Sequence, residues 1–343
     1  MLTILFGTRP EYIKIQPLTA KLKQNRIHYE LIHISQHEHI HIEGDEQISY
    51  IKLSTSDTMT RLCVLSTEIM AKLDSVLDKT SYVLVQGDTA TAFFSALAAF
   101  HKHIPIFHLE AGLRTHDIQN PFPEEAYRAM LSRIATYHLC PDVGASNNLK
   151  REHITNNVYI VGNTVLDVIR SYNLTPTLGP EVVITIHRRE NWDTLLSILH
   201  EINIIAELSQ HLSFTWVMHP NPSIRSQISE YIRTNPIAKN ITFSDPLRHG
   251  EMAAKIAHAQ YIITDSGGIQ EEASYLGKHC FVIRKTTERD AIPPEYITLI
   301  PTIPELRSTI QNYVVRPLPS CEVYGKGTTS DQFVQIFQQI AGL

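Results

Sequence analysis

The sequence predicts two doubly wound α/β domains of Rossmann type, facing each other across a cleft. Three observations carry this. Short apolar runs alternate with stretches of helical periodicity, twice over along the 343 residues. A breaker-rich segment, 171–180, reading Ser-Tyr-Asn-Leu-Thr-Pro-Thr-Leu-Gly-Pro, separates the two series. Finally, glycine and charged punctuation falls just after the strands, where open parallel sheets collect their ligands. The expected layout is a first domain over 1–170, a linker over 171–180, a second domain over 181–328, and a last helix over 329–343 that packs back on the first domain.

Leu2 to Phe6 is the first strand. Gly7-Thr8-Arg9-Pro10-Glu11 turns it into a helix, with Pro10 suited to an early helical position. Lys14 lies one turn on, so Arg9, Lys14 and unpaired helix N–H groups meet at one point, ready for an oxyanion. Pro17 is expected to kink or restart this helix. Tyr29 to Ser35 is the second strand. His37, His39 and His41 then alternate along an extended stretch, which reads as a polar loop rather than a metal site because no carboxylate stands at a ligand spacing.

Met59 to Leu77 has helical periodicity. Tyr82 to Gln86 is a strand, Gly87-Asp88-Thr89 a turn, and Ala90 to Phe100 a helix, so Asp88 sits at a strand end, where it suits either chemistry or a helix cap. Ile104 to Leu109 ends in Glu110. Pro121-Phe122-Pro123-Glu124-Glu125 opens the next helix, with Arg128 one turn in. Glu125 reads as the structural member of the pair, a carboxylate favouring the helix dipole. Tyr137 to Cys140 and Val158 to Val161 complete the first series.

In the second series, Val182 to Ile186 leads into His187-Arg188-Arg189-Glu190-Asn191. A helix over Trp192 to Ser209, a strand over Phe214 to Met218, a turn at His219 to Pro222, a short strand at Ile241 to Phe243 and a helix over Gly250 to His258 follow. Ala259 to Thr264 is a buried strand that runs into Asp265-Ser266-Gly267-Gly268-Ile269-Gln270-Glu271-Glu272, with a helix expected from Glu271 to Leu276. Strand, Ser-Gly-Gly turn and helix start make a phosphate cradle. Glu272 stands about a turn further on, within reach of a sugar hydroxyl. His279 to Ile283 is a strand, Pro304 to Tyr313 a helix, and Thr329 to Ala341 the last helix.

Composition narrows the function. A net charge of −5 and a pI near 6.4 give nucleic acid no electrostatic footing. No apolar run approaches the length of a membrane span, and Met1 to Phe6 lacks the basic flank of a signal peptide. Cys63, Cys140, Cys280 and Cys321 are far apart and fit reduced thiols of a cytoplasmic protein.

Seven motifs in register resemble those of the non-hydrolysing UDP-N-acetylglucosamine 2-epimerase family. They are Gly7-Thr8-Arg9-Pro10-Glu11, Gln86-Gly87-Asp88-Thr89, Glu110-Ala111-Gly112-Leu113-Arg114-Thr115, Pro121-Phe122-Pro123-Glu124-Glu125, His187-Arg188-Arg189-Glu190-Asn191, the Asp265 to Glu272 stretch, and Thr286-Thr287-Glu288-Arg289. The resemblance implies a GT-B-like fold and interconversion of UDP-GlcNAc and UDP-ManNAc. UDP would be eliminated to a bound 2-acetamidoglucal and re-added after C2 is reprotonated on its other face. It implies Asp88, Glu110 and Glu124 as catalytic carboxylates, Arg9 and Lys14 at the reacting end, and His187 as a catalytic or phosphate-contacting histidine. It also implies Ser266, Gly267 and Gly268 as the diphosphate cradle, Glu272 as the ribose contact, and Arg289 and Arg128 as further contacts. No cofactor and no metal enters that chemistry, and the expected partners are the UDP-sugar and a second copy of the chain.

The departures are local. Gln36-His37-Glu38-His39-Ile40 puts an acid where many members carry an arginine that helps bind an activating UDP-GlcNAc, so hyperbolic kinetics are expected. Tyr127 stands in place of asparagine, and Asp290-Ala291-Ile292-Pro293-Pro294-Glu295 in place of a Pro-Glu-Ala pattern. The competing readings are a C2-epimerase of another UDP-2-acetamido sugar, a hydrolysing variant that releases ManNAc, a UDP-sugar-dependent glycosyltransferase, and a non-catalytic UDP-sugar binder.

Overall fold

A computed structural model describes residues 1–35, 46–54 and 60–343. The chain divides into two compact units, Met1–Val168 with Tyr324–Leu343, and Ile169–Val323.

The first unit runs β1 (Leu2–Phe6), α1 (Arg9–Gln24), β2 (Tyr29–Ser35), β3 (Ile48–Lys52), α2 (Arg61–Val76), β4 (Tyr82–Gln86), α3 (Ala90–His101) and β5 (Ile106–Leu109). It continues with α4 (Glu124–Ile134), β6 (Tyr137–Cys140), α5 (Val143–Arg151), β7 (Val158–Ile160) and α6 (Thr164–Ser171), within which the division falls. All seven strands are parallel, in the order β3-β2-β1-β4-β5-β6-β7. Every side chain of β1 is buried, as a central strand covered on both faces requires. The strand order reverses between β1 and β4, so the turns after these two strands open side by side.

The second unit runs β8 (Glu181–Thr185), α7 (Leu195–Leu208), β9 (Ser213–Val217), α8 (Pro222–Thr234), β10 (Ile241–Ser244) and α9 (His249–His258). β11 (Ala259–Thr264), α10 (Gly267–Tyr275), β12 (Cys280–Val282), β13 (Ile297–Leu299) and α11 (Ile303–Gln311) follow. Its sheet order is β10-β9-β8-β11-β12-β13, again parallel, with the reversal between β8 and β11.

The last helix, α12 (Thr329–Ala341), belongs to the first unit. Phe333 meets Phe107 edge-on at 5.7 Å and Phe337 meets Tyr82 at 5.5 Å, closing the core over α1. Asp167 of α6 fastens the start of α12 by accepting hydrogen bonds from the N–H groups of Thr329 and Ser330 at 3.1 and 2.8 Å.

Several elements differ from the sequence expectation. α1 continues through Pro17, whose ring lies within it, without a break. α8 starts where a turn was expected: Asn221 caps it by accepting from the Ser223 N–H at 2.9 Å, and Pro222 is its first residue. β3, α5, α6 and β13 are additional short elements. α10 begins at Gly267, four residues before the expected Glu271, so both glycines belong to its first turn.

Candidate active site

In the first unit the turns after β1, β4 and β5 are tied together by buried polar contacts. Glu110 follows β5 with a positive φ of 69°, a left-handed backbone that a non-glycine residue adopts only when its surroundings enforce it. Lys14 donates to its Oε2 at 2.6 Å, the Gln86 amide donates to the same oxygen, and the Asn163 amide donates to Oε1 at 3.3 Å. The carboxylate is therefore compensated by one cation and two dipoles inside a nearly dry site. Gly87, at φ 73°, leaves this side open: a Cβ built there would meet only Glu110 Oε2, at 3.9 Å.

Asp88 points to α4, where its Oδ2 lies 2.5 Å from Arg128. Arg128 also pairs with Glu125 at 2.9 Å, and Glu125 accepts from the N–H groups of Thr115 and His116 at 2.9 and 3.1 Å. Glu125 thus builds the loop that precedes α4. Thr89, not Asp88, caps α3, by accepting from the Ala92 N–H at 3.0 Å. Glu124 opens α4 partly exposed and, among the described residues, makes no hydrogen bond or ion pair. Arg9 opens α1 exposed and equally without one.

Beneath these groups lies a residue that the sequence reading left unassigned. Glu11 is buried, accepts from the Gly7 N–H at 3.2 Å and from the Thr89 hydroxyl at 2.8 Å, and so joins the turns after β1 and β4. Burial pushes its carboxyl up to about 7, against the pull of those hydrogen bonds. His108 is held neutral for a related reason. Burial brings it down to about 3, while Nε2 donates to the Gly87 carbonyl at 2.8 Å and supports the same turn.

In the second unit Asp265, fully buried after β11, organises the turn after β8. Its Oδ1 accepts from the His187 N–H and its Oδ2 from the Arg188 N–H and the Asn191 amide, all at 2.9 Å. His187 lies 5.2 Å from His219, centroid to centroid. Burial lowers its pKa; the Asp265 charge raises it and His219 lowers it further.

Ser266 caps α10, its hydroxyl accepting from the Ile269 N–H at 3.5 Å. Gly267 and Gly268 follow as the first two helical residues, where N–H groups have no partner within the helix. A Cβ at Gly267 would lie 2.7 Å from Glu288 Oε1, whereas one at Gly268 would meet nothing nearer than Glu272 Oε1 at 3.9 Å. Glu272 accepts from His249 at 3.2 Å through Oε1, while its Oε2 is buried with no hydrogen-bond partner. Arg289 is buried and pairs with Glu271 and Glu288, the latter also held by Arg188 and Arg284. This ion network braces the cradle from behind.

The first unit therefore gathers Lys14 and Glu110 in one cluster and Asp88 and Arg128 in a second, with Arg9 at the start of α1 and Glu124 at the start of α4. The second unit gathers Ser266, Gly267, Gly268, Glu272 and Arg289 around one helix start, and places His187 on the turn that Asp265 holds. The sequence reading passed over Glu11, Gln86, Asn163, Asp265 and His249 as individual actors. Of these, Glu11, Gln86 and Asp265 lay inside quoted motifs, and a carboxylate or amide within an otherwise apolar strand–turn boundary was the available signal. His37, Glu38, His39 and His41 lie outside the described residues; among the described residues no group of His, Cys, Asp and Glu side chains is placed to hold a metal ion. No described helix is long and apolar enough to cross a membrane.

Comparison with known proteins agrees with the motifs. The model of the family described as UDP-N-acetylglucosamine 2-epimerase matches residues 20–338. A UDP-N-acetylglucosamine 2-epimerase of Campylobacter jejuni is 34% identical over 329 residues, covering 87% of this chain and 85% of that protein. The crystal structure of UDP-GlcNAc 2-epimerase from Neisseria meningitidis, bound to UDP-GlcNAc, superposes with a TM-score of 0.86 at 29% identity, covering 98% of this chain and 99% of that one. A lipopolysaccharide outer core galactosyltransferase is similar at a TM-score of 0.52 and 13% identity over 90% of this chain and 89% of that one, a likeness of fold alone. The fold class is thus the GT-B-like pair of Rossmann-type units, and the chain belongs to the UDP-N-acetylglucosamine 2-epimerase family, enzymes of the isomerase kind.

Proposed function

We propose that this protein is a non-hydrolysing UDP-N-acetylglucosamine 2-epimerase that interconverts UDP-GlcNAc and UDP-ManNAc. The observation that carries this reading is the set of three carboxylates, Asp88, Glu110 and Glu124, kept in different surroundings at strand ends and a helix start. Acid and base need distinct environments, and these three have them: Glu110 is paired with a lysine, Asp88 with an arginine, and Glu124 is partly exposed at a helix start. In the reaction a base takes the C2 proton while the C1–O bond breaks, which releases UDP and leaves 2-acetamidoglucal. An acid then returns a proton to the opposite face of C2 and UDP re-adds at C1, so no net atom or electron is gained.

The departing diphosphate needs positive and dipolar groups already in place. Arg9, exposed and free of ion pairs among the described residues, the first N–H groups of α10 and His187 suit that task. Glu272 suits the ribose, and Arg128 acts by fixing Asp88. The working parts are taken as the compact units Met1–Val168 with Tyr324–Leu343 and Ile169–Val323, in place of the layout 1–170, 171–180, 181–328 and 329–343. Family resemblance supports a cytoplasmic homodimer.

Proton NMR of the purified protein with UDP-GlcNAc in D2O tests the reading. UDP-ManNAc carrying deuterium at C2 is the expected product. Free ManNAc with UDP would replace it with the hydrolysing reaction. No change over hours would overturn UDP-GlcNAc as substrate and direct the assay to other UDP-2-acetamido sugars.

A further inference from the structure

Glu272 presents an unsolved polar problem within the second unit. Its side chain is only 6% exposed, and while Oε1 is engaged, Oε2 is buried with no hydrogen-bond partner. A buried carboxylate oxygen left unpaired is unfavourable, so such an atom points to a donor that arrives with a ligand. The space beside it fits that expectation, because a Cβ added at Gly268, one helical turn earlier on the same face, would meet nothing nearer than 3.9 Å.

What holds Glu272 in this state is a relay from two other elements. His249, the first residue of α9, places Nε2 3.2 Å from Glu272 Oε1. Its Nδ1 lies 3.0 Å from the hydroxyl of Tyr172, in the segment that follows α6. The tyrosine ring lies against the start of α9, where a Cβ at Gly250 would stand at ordinary contact distance, 3.5 Å, from Tyr172 Cζ. An ionised carboxylate only accepts hydrogen bonds, so Nε2 carries the imidazole proton. Nδ1 lies within reach of the Tyr172 hydroxyl, and both ring nitrogens have partners. The relay occupies Oε1, fixes the carboxylate plane, and reserves Oε2 as a pure acceptor.

Resting on the proposed role of the α10 start as a diphosphate cradle, we infer that His249, braced by Tyr172, is a positioning residue that aims Glu272 Oε2 at the ribose diol and so selects ribonucleoside over 2′-deoxyribonucleoside diphosphates. A diol supplies two O–H donors to an acceptor-only oxygen, while the 2′-deoxy sugar supplies one fewer. His249 touches neither diphosphate nor reacting sugar in this scheme, so its influence falls on affinity and sugar discrimination rather than on turnover.

The test is calorimetric titration of the full-length protein with UDP and with dUDP, in the wild type and in His249→Ala, His249→Gln and Tyr172→Phe. In His249→Ala, UDP affinity is expected to fall about tenfold, with dUDP affinity changed less than about threefold, so that the preference for UDP shrinks. His249→Gln keeps an N–H of similar reach and should recover most of the preference; Tyr172→Phe should show a smaller loss in the same direction. With saturating substrate, kcat should stay within about threefold of wild type while KM rises. Equal losses for both nucleotides, or an unchanged preference in His249→Ala, would overturn the inference. A wild type that binds neither nucleotide would instead overturn the proposed UDP cradle itself.

Discussion

Lys14 Nζ lies 2.6 Å from Glu110 Oε2, although 96 residues separate the two in the chain. The pair joins the first turn of α1 to the end of β5, with side-chain exposures of 16% and 7%. Such a pair is weak evidence for stability, since removing two charges from water costs about as much as their attraction returns. Its value lies in fixing the Glu110 carboxylate at a chosen point. Lys14→Met should lower stability by about 3 kcal/mol, the lower end for breaking a buried pair, and reduce kcat at least about a hundredfold. Glu110→Gln should lose turnover to a similar degree yet bind UDP within about threefold of wild type. Deuterium incorporation at C2, followed by NMR, separates these effects; full exchange in both variants would remove the pair from the chemistry.

The Asp265 carboxylate makes a different prediction, because it faces protein donors on every side. Asparagine at 265 would turn an N–H₂ toward the N–H of His187 or Arg188 and leave at least one donor unpaired. Stability should fall by about 1–3 kcal/mol by urea unfolding, and turnover by at least about tenfold as the His187 turn loosens. Unaltered turnover would show that the His187 position does not matter to the reaction.

The pH dependence of stability should carry two opposing signatures. Glu11 keeps its proton in the folded chain up to about pH 7, whereas the unfolded carboxyl loses it near 4.5. Its contribution therefore declines as pH rises between those values, by on the order of 3 kcal/mol in all, and is level above them. His108 and His138 do the reverse. Burial holds them neutral down to about 3 and about 4, while the unfolded rings take up protons near 6.5, so their contribution is lost as pH falls below that. Glu11→Gln should steepen the acid-side loss of stability and His108→Gln should flatten it. Urea unfolding from pH 4 to 8 on the three proteins measures this; parallel curves for wild type and Glu11→Gln would show that Glu11 ionises in the folded protein as it does in water.

These residues also show what a sequence discloses and what it withholds. The turns after β1, β4, β8 and β11 are legible because buried parallel strands are apolar and end in glycine and charge, and the sheet order then brings those turns to the reversal points. Asp88, Glu110 and the Ser266 cradle could be placed on strand ends for that reason. Long-range pairing is not written in local pattern. Glu11 looks like a first-turn acid favouring the helix dipole, and only the fold reveals Thr89, 78 residues away, as its partner. His249 looks like one histidine among eighteen until α9 sets it against α10. Asn221-Pro222 reads as a turn, yet the apolar contacts of Ile224 and Ile228 carry a helix that Asn221 caps. Asp88 and Thr89 compete for one cap; Arg128 draws Asp88 away.

The two cradle glycines should respond to the same substitution in opposite ways. At Gly267 a methyl group would press to 2.7 Å against Glu288 Oε1, an atom fixed by Arg188 within a buried ion network, so Gly267→Ala should be destabilised by about 1–3 kcal/mol. At Gly268 the methyl meets nothing nearer than 3.9 Å, and alanine is the better helix former by up to about 1 kcal/mol, so Gly268→Ala should unfold at an equal or higher temperature. The same methyl would stand over the first-turn N–H groups, where a diphosphate must come into backbone contact. Gly268→Ala should therefore lose UDP affinity at least about tenfold while gaining or keeping stability. Calorimetric titration beside thermal unfolding reads both quantities. Undiminished UDP binding in a well-folded Gly268→Ala protein would place the diphosphate away from the start of α10, a result that a destabilised variant at Gly267 could never establish.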